Sequence, residues 1–297
     1  MQNDSTPPRA TRRGSTVRRR IERVALAPEG ALRRVREDVL ATEEPLEIRV
    51  VVGDGVSHRV AVTMRTPGAD FELAAGFLYG EGLIGGPEAV RAIRYCTEAE
   101  QLYNVVNVVL APGVPFDAAN LARNFYTTSS CGVCGKASIE AVMGPACARV
   151  AGGVTVDADT LVGLPARLRQ AQAVFERTGG LHAAAQFTAD GELVRVREDV
   201  GRHNAMDKLV GSALLAGELP LADHVVLVSG RLSFELVQKA ARAGAAVLAG
   251  VSAPSSLAVE LAEQAGMTLA GFVREPGFNI YTGGERIASR VREKVGG

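Results

Sequence analysis

Apolar residues in the first third of the chain occur in short runs with the spacing of strands. LEIRVVV (46–52) and RVAVTM (59–64) predict two strands, and the DG in the loop between them is typical of a hairpin. AIRY (92–95) and YNVVNVVLA (103–111) predict two further strands. Residues 70–84 have helical spacing instead and end in a glycine-containing turn. The first third is therefore predicted to be rich in β structure.

The middle of the chain mixes both periodicities. A short helix is predicted at 136–144, and a longer one at 160–179 ends at a glycine. AAAQFT (183–188) and ELVRVRED (192–199) predict two strands around a turn. Residues 202–218 predict the next helix.

The last third alternates regularly between strands and helices. The strands are predicted at 224–230, 245–252 and 268–274, and the helices at 232–244 and 254–266. Short strands separated by helices of this length favour parallel βαβ units. The pattern as a whole predicts an α/β protein with parallel βαβ units in its last third and a β-rich N-terminal subdomain.

Ligands of such sheets bind beyond the carboxyl ends of the strands. Arg231 follows the first of these strands and is the best candidate for a phosphate contact. Ser252, Ser255 and Ser256 follow the second strand and open a helix, where they either bind phosphate or cap the helix.

Composition changes this picture mainly at the N-terminus. The chain has 297 residues, 47% of them hydrophobic, and a formal net charge of +0, which gives no bias towards nucleic acid or a membrane. Residues 1–23 carry seven arginines against two acidic residues, and the next residues are too charged for an export signal. We predict a disordered basic tail at 1–25, the β-rich subdomain at 26–125 and an α/β subdomain at 126–297.

The segment TTSSCGVCGKASIE (127–140) carries the most distinctive chemistry. A structural zinc site needs four ligands, and the chain has no second CxxC pair. A redox dithiol before a helix is a reasonable alternative. We favour a nucleophilic or sulfur-carrying thiolate, because Cys131 and Cys134 precede a predicted helix whose N-terminus lowers thiol pKa. Cys96 and Cys147 are more typical of small buried hydrophobic residues.

A charged cluster lies in VREDVGRHNAMDK (196–208). Its charged residues indicate either a helix start with ion pairs around it, or a site where His203 moves a proton. His182 follows a Gly-Gly turn and either faces the same cleft or is a half-buried structural histidine. The GxGxxG match at 80–85 follows a helix and not a strand, so it does not indicate dinucleotide binding.

With these residues identified, the chain resembles the formate dehydrogenase accessory sulfurtransferases, the FdhD-type sulfur carriers. The resemblance extends from residue 43 to residue 284. The segments that carry it are MRTPGADFELAAGFLYGEGLI, SSCGVCGKASIE, TGGLHAAAQF, VREDVGRHNAMDKLVG, LVSGRLSFELVQKAARAG, VSAPSSLAVELA and FNIYTG. Seven segments in the same order are much more specific than a single CxxC.

The resemblance implies a sulfurtransferase that takes persulfide sulfur from a cysteine desulfurase. It implies delivery of that sulfur to Mo-bis(molybdopterin guanine dinucleotide), the cofactor of formate dehydrogenase, bound as a substrate and without a structural metal. Cys131 is then the persulfide carrier and Cys134 assists it. The implied cofactor-binding segment is Phe278, Asn279, Ile280, Tyr281, Thr282 and Gly283.

The resemblance also implies a cytidine deaminase-like α/β fold, with a mixed, layered sheet and helices. It implies a cytoplasmic homodimer that contacts the guanine nucleotide part of the cofactor. Two rival hypotheses stay open. One is a non-covalent molybdenum-cofactor-binding chaperone for formate dehydrogenase, and the other is a redox dithiol protein.

Overall fold

The computed structural model describes residues 14–28, 30–53, 55–96, 103–116, 149–150 and 152–289. Within these ranges the chain forms four sheets, of two, four, six and two strands. The short helix predicted at 136–144 and the subdomain boundary predicted at 125/126 lie outside the described residues.

The first sheet is a hairpin that we call the arm. Strand β1 (Thr16–Ala27) pairs antiparallel with β2 (Gly30–Ala41) along its whole length. The prediction of disorder was therefore wrong for residues 16–25, and the predicted boundary at 26 cuts through a strand. The many arginines mask the apolar alternation by which a strand is recognised in a sequence. The backbone hydrogen bonds to β2 nevertheless make this segment a strand.

The four-stranded sheet confirms the predicted β-rich region. It contains β3 (Glu44–Val52), β4 (Val56–Arg65), β5 (Val90–Tyr95) and β6 (Val105–Leu110) in the order β4-β3-β6-β5. Helix α1 (Asp70–Gly80) packs its aliphatic side chains onto one face of this sheet and forms a separate hydrophobic core with it.

The six-stranded sheet and its helices make up most of the remaining described residues. The helices are α2 (Ala158–Ala171), α3 (Ala173–Thr178), α4 (Arg202–Ala216), α5 (Phe234–Arg242) and α6 (Ser256–Gln264). The strands are β8 (His182–Phe187), β9 (Leu193–Asp199), β10 (Val225–Val228), β11 (Val247–Gly250), β12 (Thr268–Arg274) and β13 (Gly277–Thr282). A small two-stranded sheet joins β7 (Val156–Asp157) to β14 (Ile287–Ala288).

The strand order β13-β12-β11-β10-β8-β9 makes this a mixed sheet. Strands β10, β11 and β12 are parallel, as predicted, and β8, β9 and β13 extend the sheet with antiparallel pairs. One face packs against α4, α5 and α6, and the other packs against α2. The chain is thus a mixed α/β protein, and its specific likeness to cytidine deaminases stays a prediction.

The helix predicted at 160–179 is two helices. It breaks at Gln172, whose backbone has φ −81° and ψ 73°. The carboxylate of Glu198 accepts hydrogen bonds from the backbone N–H groups of Val174 (3.0 Å) and Phe175 (2.8 Å), which stabilises a new helix start. This contact comes from another strand, so local periodicity does not show it. Gly179 ends the second helix in the left-handed conformation, as predicted.

Helix α4 joins the four-stranded sheet to the six-stranded sheet. Gly76 of α1 and Gly211 of α4 lie at a crossing so close that an added Cβ would be 1.9 Å from a backbone oxygen of the facing helix in each case. Helix α4 therefore contributes both to the core of the large sheet and, through Leu214, to the core of the small one.

Candidate functional site

The carboxyl edge of β10, β11 and β12 carries most of the predicted site. Because β8 is antiparallel to β10, its first residue, His182, lies at this same edge, and so does the end of β9. Helices α4, α5 and α6 all begin here, so the N–H groups of three first turns lie at one edge of the sheet. Such an edge favours anions.

A cavity of about 520 Å³ opens at this edge between α2, α3 and the strands. Its polar lining includes Arg169, Gln172, His182 and Ser229, and Phe175 supplies an aromatic ring. The guanidinium of Arg169 lies 3.9 Å from the centre of that ring. The cavity thus combines hydrogen-bonding groups with a flat ring, as a site for a polar heteroaromatic ligand requires.

Gln172 is one of the lining residues that the sequence analysis missed. It is only 4% exposed, and its Nε2 has no hydrogen-bond partner among the described residues. Buried polar groups normally have partners, so an unpaired amide beside a cavity is a candidate ligand contact. A single predicted helix across 160–179 hid the break that places Gln172 here.

His182 and Arg202 meet beside Gly230. A Cβ at Gly230 would lie 3.4 Å from His182 Nδ1 and 3.9 Å from Arg202 Cδ, so both side chains lie next to this residue. Burial, and then the charge of Arg202, lower the pKa of His182 from its usual value. His182 is therefore mainly neutral at physiological pH, and it is a half-buried residue of the cavity lining.

His203 lies one residue further along α4. Its Nε2 is 3.2 Å from Ser233 Oγ and 3.4 Å from Glu235 Oε2. Burial lowers its pKa to about 3, and the nearby charges of Arg202 and Lys239 act in the same direction. His203 is thus a neutral imidazole at physiological pH, able to donate or accept a hydrogen bond.

Backbone hydrogen bonds join the loop that carries Arg231 to the loop that carries Ser252 and Ser255. Leu232 N donates to Ala253 O (3.0 Å), and Ser255 N donates to Leu232 O (3.0 Å). Arg231 is exposed beside this contact. The hydroxyl of Ser255 accepts a hydrogen bond from Ala258 N at 3.3 Å. Ser255 therefore caps the helix, which is one of the two roles that the sequence analysis left open.

The predicted segment Phe278–Gly283 is β13 and the residue after it. Tyr281 packs over Gly271, where its ring reaches the loop of Ser252 and Pro254. Thr282 Oγ1 donates to Met267 O (2.8 Å), and the carbonyl of Gly283 accepts from Thr268 Oγ1 (2.5 Å). The far end of the segment is thus held against β12.

The near end of the same segment opens to solvent. Phe278 and Asn279 line a second cavity, of about 470 Å³, together with Phe272, Arg274, Glu275, Pro276 and Gly277. Phe278 also packs against the core between the large sheet and α2. Ile280 is 44% exposed. The structure therefore brings Tyr281 and Ser252 together, and places Phe278 and Asn279 around a separate cavity of their own.

The charged cluster at 196–208 forms buried ion pairs, as the structural interpretation expected. Lys208 Nζ lies 2.7 Å from Asp199 Oδ2, and Lys239 Nζ lies 2.8 Å from Asp207 Oδ1. Asp199 also accepts from the backbone N–H groups of Thr66 and Gly201, so it ties the small sheet to the start of α4. These pairs hold the N-terminus of α4 in place.

Cys131, Cys134 and Cys147 lie outside the described residues, and Cys96 is a half-buried free thiol. No group of three or more metal-ligating side chains occurs within the part of the chain that the structure describes. None of the helices in that part is long and apolar enough to cross a membrane.

Comparison with known proteins gives one consistent answer. A family model described as the FdhD/NarQ family matches residues 41–288. A protein named sulfur carrier protein FdhD from Streptomyces avermitilis is 54% identical, covering 95% of this chain and 99% of its own. Another of that name, from Mycolicibacterium paratuberculosis, is 57% identical over 85% and 93% of the two chains.

A solved structure shows the same architecture. The crystal structure of a protein described as a formate dehydrogenase accessory protein, from Desulfotalea psychrophila, matches with a TM-score of 0.67 and 25% sequence identity. The match covers 91% of this chain and 99% of that one.

Proposed function

The chain belongs to the FdhD/NarQ family, and from that membership we propose that it is a sulfur carrier for formate dehydrogenase. The proposal rests above all on 54% identity, over nearly the whole length of both chains, to a protein named as a sulfur carrier. The CGxCG segment at 131–135 supplies the thiols that such a function requires.

The transfer uses ordinary thiol chemistry. The Cys131 thiolate attacks the outer sulfur of a persulfide on a cysteine desulfurase, which leaves the desulfurase as a thiolate and Cys131 as a persulfide. Cys134 then attacks the inner sulfur, forms a disulfide with Cys131 and releases the outer sulfur as sulfide. The two thiols supply the two electrons, and a cellular thiol reductant restores them. The sulfide becomes a ligand of the metal in the cofactor.

The carboxyl edge of the large sheet is the proposed place of cofactor binding. Mo-bis(molybdopterin guanine dinucleotide) carries phosphates and guanine bases. Arg202, Arg231 and the N-termini of α4 and α5 would receive the phosphates, because these ends have no side-chain caps. The neutral state of His182 and His203 leaves the arginines and helix ends as the positive groups of this edge.

The 520 Å³ cavity is the proposed position of a guanine base. Phe175 offers a ring for stacking, and the unpaired Nε2 of Gln172 is a donor for the carbonyl oxygen of guanine. The segment Phe278–Gly283 would contribute to the same edge through Tyr281. The partners of this function are a cysteine desulfurase and formate dehydrogenase, and the protein would act in the cytoplasm as a homodimer.

Intact-protein mass spectrometry tests the carrier function. Wild type, Cys131→Ala and Cys134→Ala are incubated with a cysteine desulfurase and cysteine, and binding of guanosine diphosphate is measured on the same samples. We expect wild type to gain sulfur that a reductant removes, and Cys131→Ala to gain none while it still binds the nucleotide. If no variant gains sulfur and all still bind the nucleotide, the result would favour a cofactor-binding chaperone over a sulfur carrier. Equal dependence on both cysteines without stable sulfur loading would indicate a redox dithiol.

A further inference from the structure

The arm formed by β1 and β2 begins at the rim of the proposed cofactor site. Thr16 and Ala41 face each other at its base. Arg177 Nη2 of α3 donates to Thr16 Oγ1 at 3.3 Å, and a Cβ at Gly180 would lie 3.9 Å from Ala41 Cβ. Gly180 and the ring of Phe175 in α3 also line the 520 Å³ cavity. A protein bound along the arm would therefore be held near this cavity.

The two faces of the arm differ in charge, because directly opposite residues of the ladder share a face. One face, which we call the basic face, carries four arginines and one acidic residue, a net charge of +3; they are Arg19, Arg23, Arg34, Arg36 and Asp38. The opposite face carries three arginines and two glutamates, a net charge of +1; they are Arg18, Arg20, Arg33, Glu22 and Glu37.

Ion pairs neutralise much of the opposite face. Arg18 lies 3.8 Å from Glu37, and Arg33 lies 3.3 Å from Glu22. Thr16, which contacts α3, also belongs to this face. The basic face is therefore the side of the arm that is turned away from the contact with α3.

Two arginines of the basic face lack a counter-charge. Arg23 and Arg34 are directly opposite each other in the ladder, and like charges in that position destabilise a strand pair. Among the described residues, no carboxylate lies within ion-pair distance of either, whereas Arg36 has Asp38 at 3.5 Å. Guanidinium groups bind carboxylates in a bidentate geometry. An external carboxylate would thus relieve the repulsion between these two side chains.

The other residues of the basic face indicate that this anion belongs to a protein. Val17, Leu32 and Leu40 lie on the same face and are 37%, 54% and 41% exposed. Arginine combined with apolar contact area is typical of protein interfaces. Residues 16–41 contain no aromatic side chain on which nucleic acid bases could stack. The sequence between the two strands contains Glu29, whose carboxylate opposes insertion into a membrane.

We propose that the basic face of the arm is the docking surface for an acidic segment of formate dehydrogenase. The identity of this partner rests on the proposed function, in which formate dehydrogenase is the protein that the sulfur carrier serves. Arg23 and Arg34 lie seven residues from the base of the arm, which is about 23 Å along the strands. The docked protein is thereby held within reach of the cavity rim.

The overall charge distribution supports a directed encounter. Residues 1–41 contain ten arginines and five acidic residues, a net charge of +5, whereas residues 42–297 contain 23 basic and 28 acidic residues, a net charge of −5. An acidic partner is therefore attracted by the N-terminal region and repelled by the rest of the chain at long range. The family model begins at residue 41, so this docking element lies outside the region that the model matches.

A pair of double variants tests the docking surface. Arg23→Gln with Arg34→Gln removes two charges from the basic face and also removes a repulsive pair, so the arm should stay folded. Arg18→Gln with Arg33→Gln removes two charges from the opposite face and is the matched control, because exposed ion pairs contribute little to stability. Binding of purified, cofactor-free formate dehydrogenase is measured by calorimetry.

We expect the basic-face variant to raise the dissociation constant at least about tenfold, and the control to change it less than about threefold. Equal weakening by both variants would indicate net charge alone and would overturn the proposal. No binding by wild type, or unchanged binding by the basic-face variant, would also overturn it. The same holds if that variant loses binding only to a short single-stranded RNA or to phosphatidylglycerol vesicles.

Sulfur loading from a cysteine desulfurase, measured by mass spectrometry on the same variants, separates this inference from the proposed function. We expect all variants to load sulfur as wild type does. Loading that is lost only in the basic-face variant would assign this face to the desulfurase and overturn the proposal. If wild type binds formate dehydrogenase through the basic face but loads no sulfur, the docking surface is supported and only the carrier function fails.

Discussion

His203 shows how neighbouring residues set the chemistry of one side chain. The sequence places it in a charged cluster, where either protonation state is plausible. In the structure its ring lies half-buried between α4 and α5. Partial burial and the charges of Arg202 and Lys239 disfavour the protonated form and outweigh the carboxylate of Glu235 at 3.4 Å. Its neutral imidazole lies at the start of two helices, beside the proposed phosphate contacts.

This environment predicts a pH dependence of stability. In the unfolded chain His203 binds a proton below about pH 6.5, whereas in the folded protein its pKa of about 3 keeps it neutral. The unfolded state thus binds more protons in this window, so stability falls as the pH decreases from about 6.5 towards 3. Between pH 7.5 and pH 5, the free energy of unfolding should decrease less in His203→Gln than in wild type. We expect the difference between the two decreases to be up to about 2 kcal/mol.

Urea unfolding at the two pH values measures this difference. Glutamine can still bond to Ser233 but does not titrate, so only the slope with pH should change. Equal losses in wild type and His203→Gln would show that the histidine does not control the acid response.

At the scale of elements, the crossing of α1 and α4 is the contact that joins the four-stranded sheet to the six-stranded sheet. Gly76 and Gly211 allow the two backbones to touch, and this contact joins the small sheet to the large one. The sequence shows glycines within two helical patterns but does not show that they face each other.

The substitution Gly76→Ala tests this crossing. Its Cβ would meet Asp207 O at 1.9 Å, so the helices must separate, and we expect a loss of at least about 3 kcal/mol in the free energy of unfolding. Gly163→Ala in α2 is the matched control, because nothing lies within 4 Å of its added Cβ. There the better helix propensity of alanine should stabilise the protein by about 0.5–1 kcal/mol. Similar effects at both positions, measured by urea unfolding, would contradict the tight crossing.

At the scale of the whole molecule, buried charges connect the parts. Lys239 of α5 lies 2.8 Å from Asp207 of α4 and 3.5 Å from Glu81, the residue after α1. Burial opposes the charge of Lys239, but Asp207, Glu81 and Glu235 together raise its pKa. One ammonium group thus joins three helices that belong to two cores.

Substitution of Lys239 by an uncharged residue should destabilise the folded protein. Lys239→Met leaves buried carboxylates without a counter-charge, and we expect a loss of about 3–5 kcal/mol in the free energy of unfolding. The double variant Lys239→Met with Asp207→Leu removes the main uncompensated charge, so a large part of the loss should return. A single variant within about 1 kcal/mol of wild type, in the same urea experiment, would show that the network does not bind the cores together.

The sequence by itself determined the elements whose signals are local. Apolar periodicity, glycines at helix ends and turn residues specified helix α1, helices α4 to α6 and the strands of both large sheets except β13, which the sequence analysis did not predict as a strand. The alternation in the last third specified the parallel strands. Seven sequence segments in a fixed order, one of which contains CGVCG, carried the family resemblance, because such motifs can be recognised without coordinates.

Only the tertiary structure decided features that arise between distant segments. Glu198 breaks the helix at Gln172 from another strand, and that break lines a cavity with an unpaired amide. The charge-rich residues 16–25 become a strand because β2 supplies the backbone partners that local pattern does not reveal. The pKa of His203 depends on burial and on charges from two helices. In each case the deciding energy comes from contacts between segments far apart in the chain.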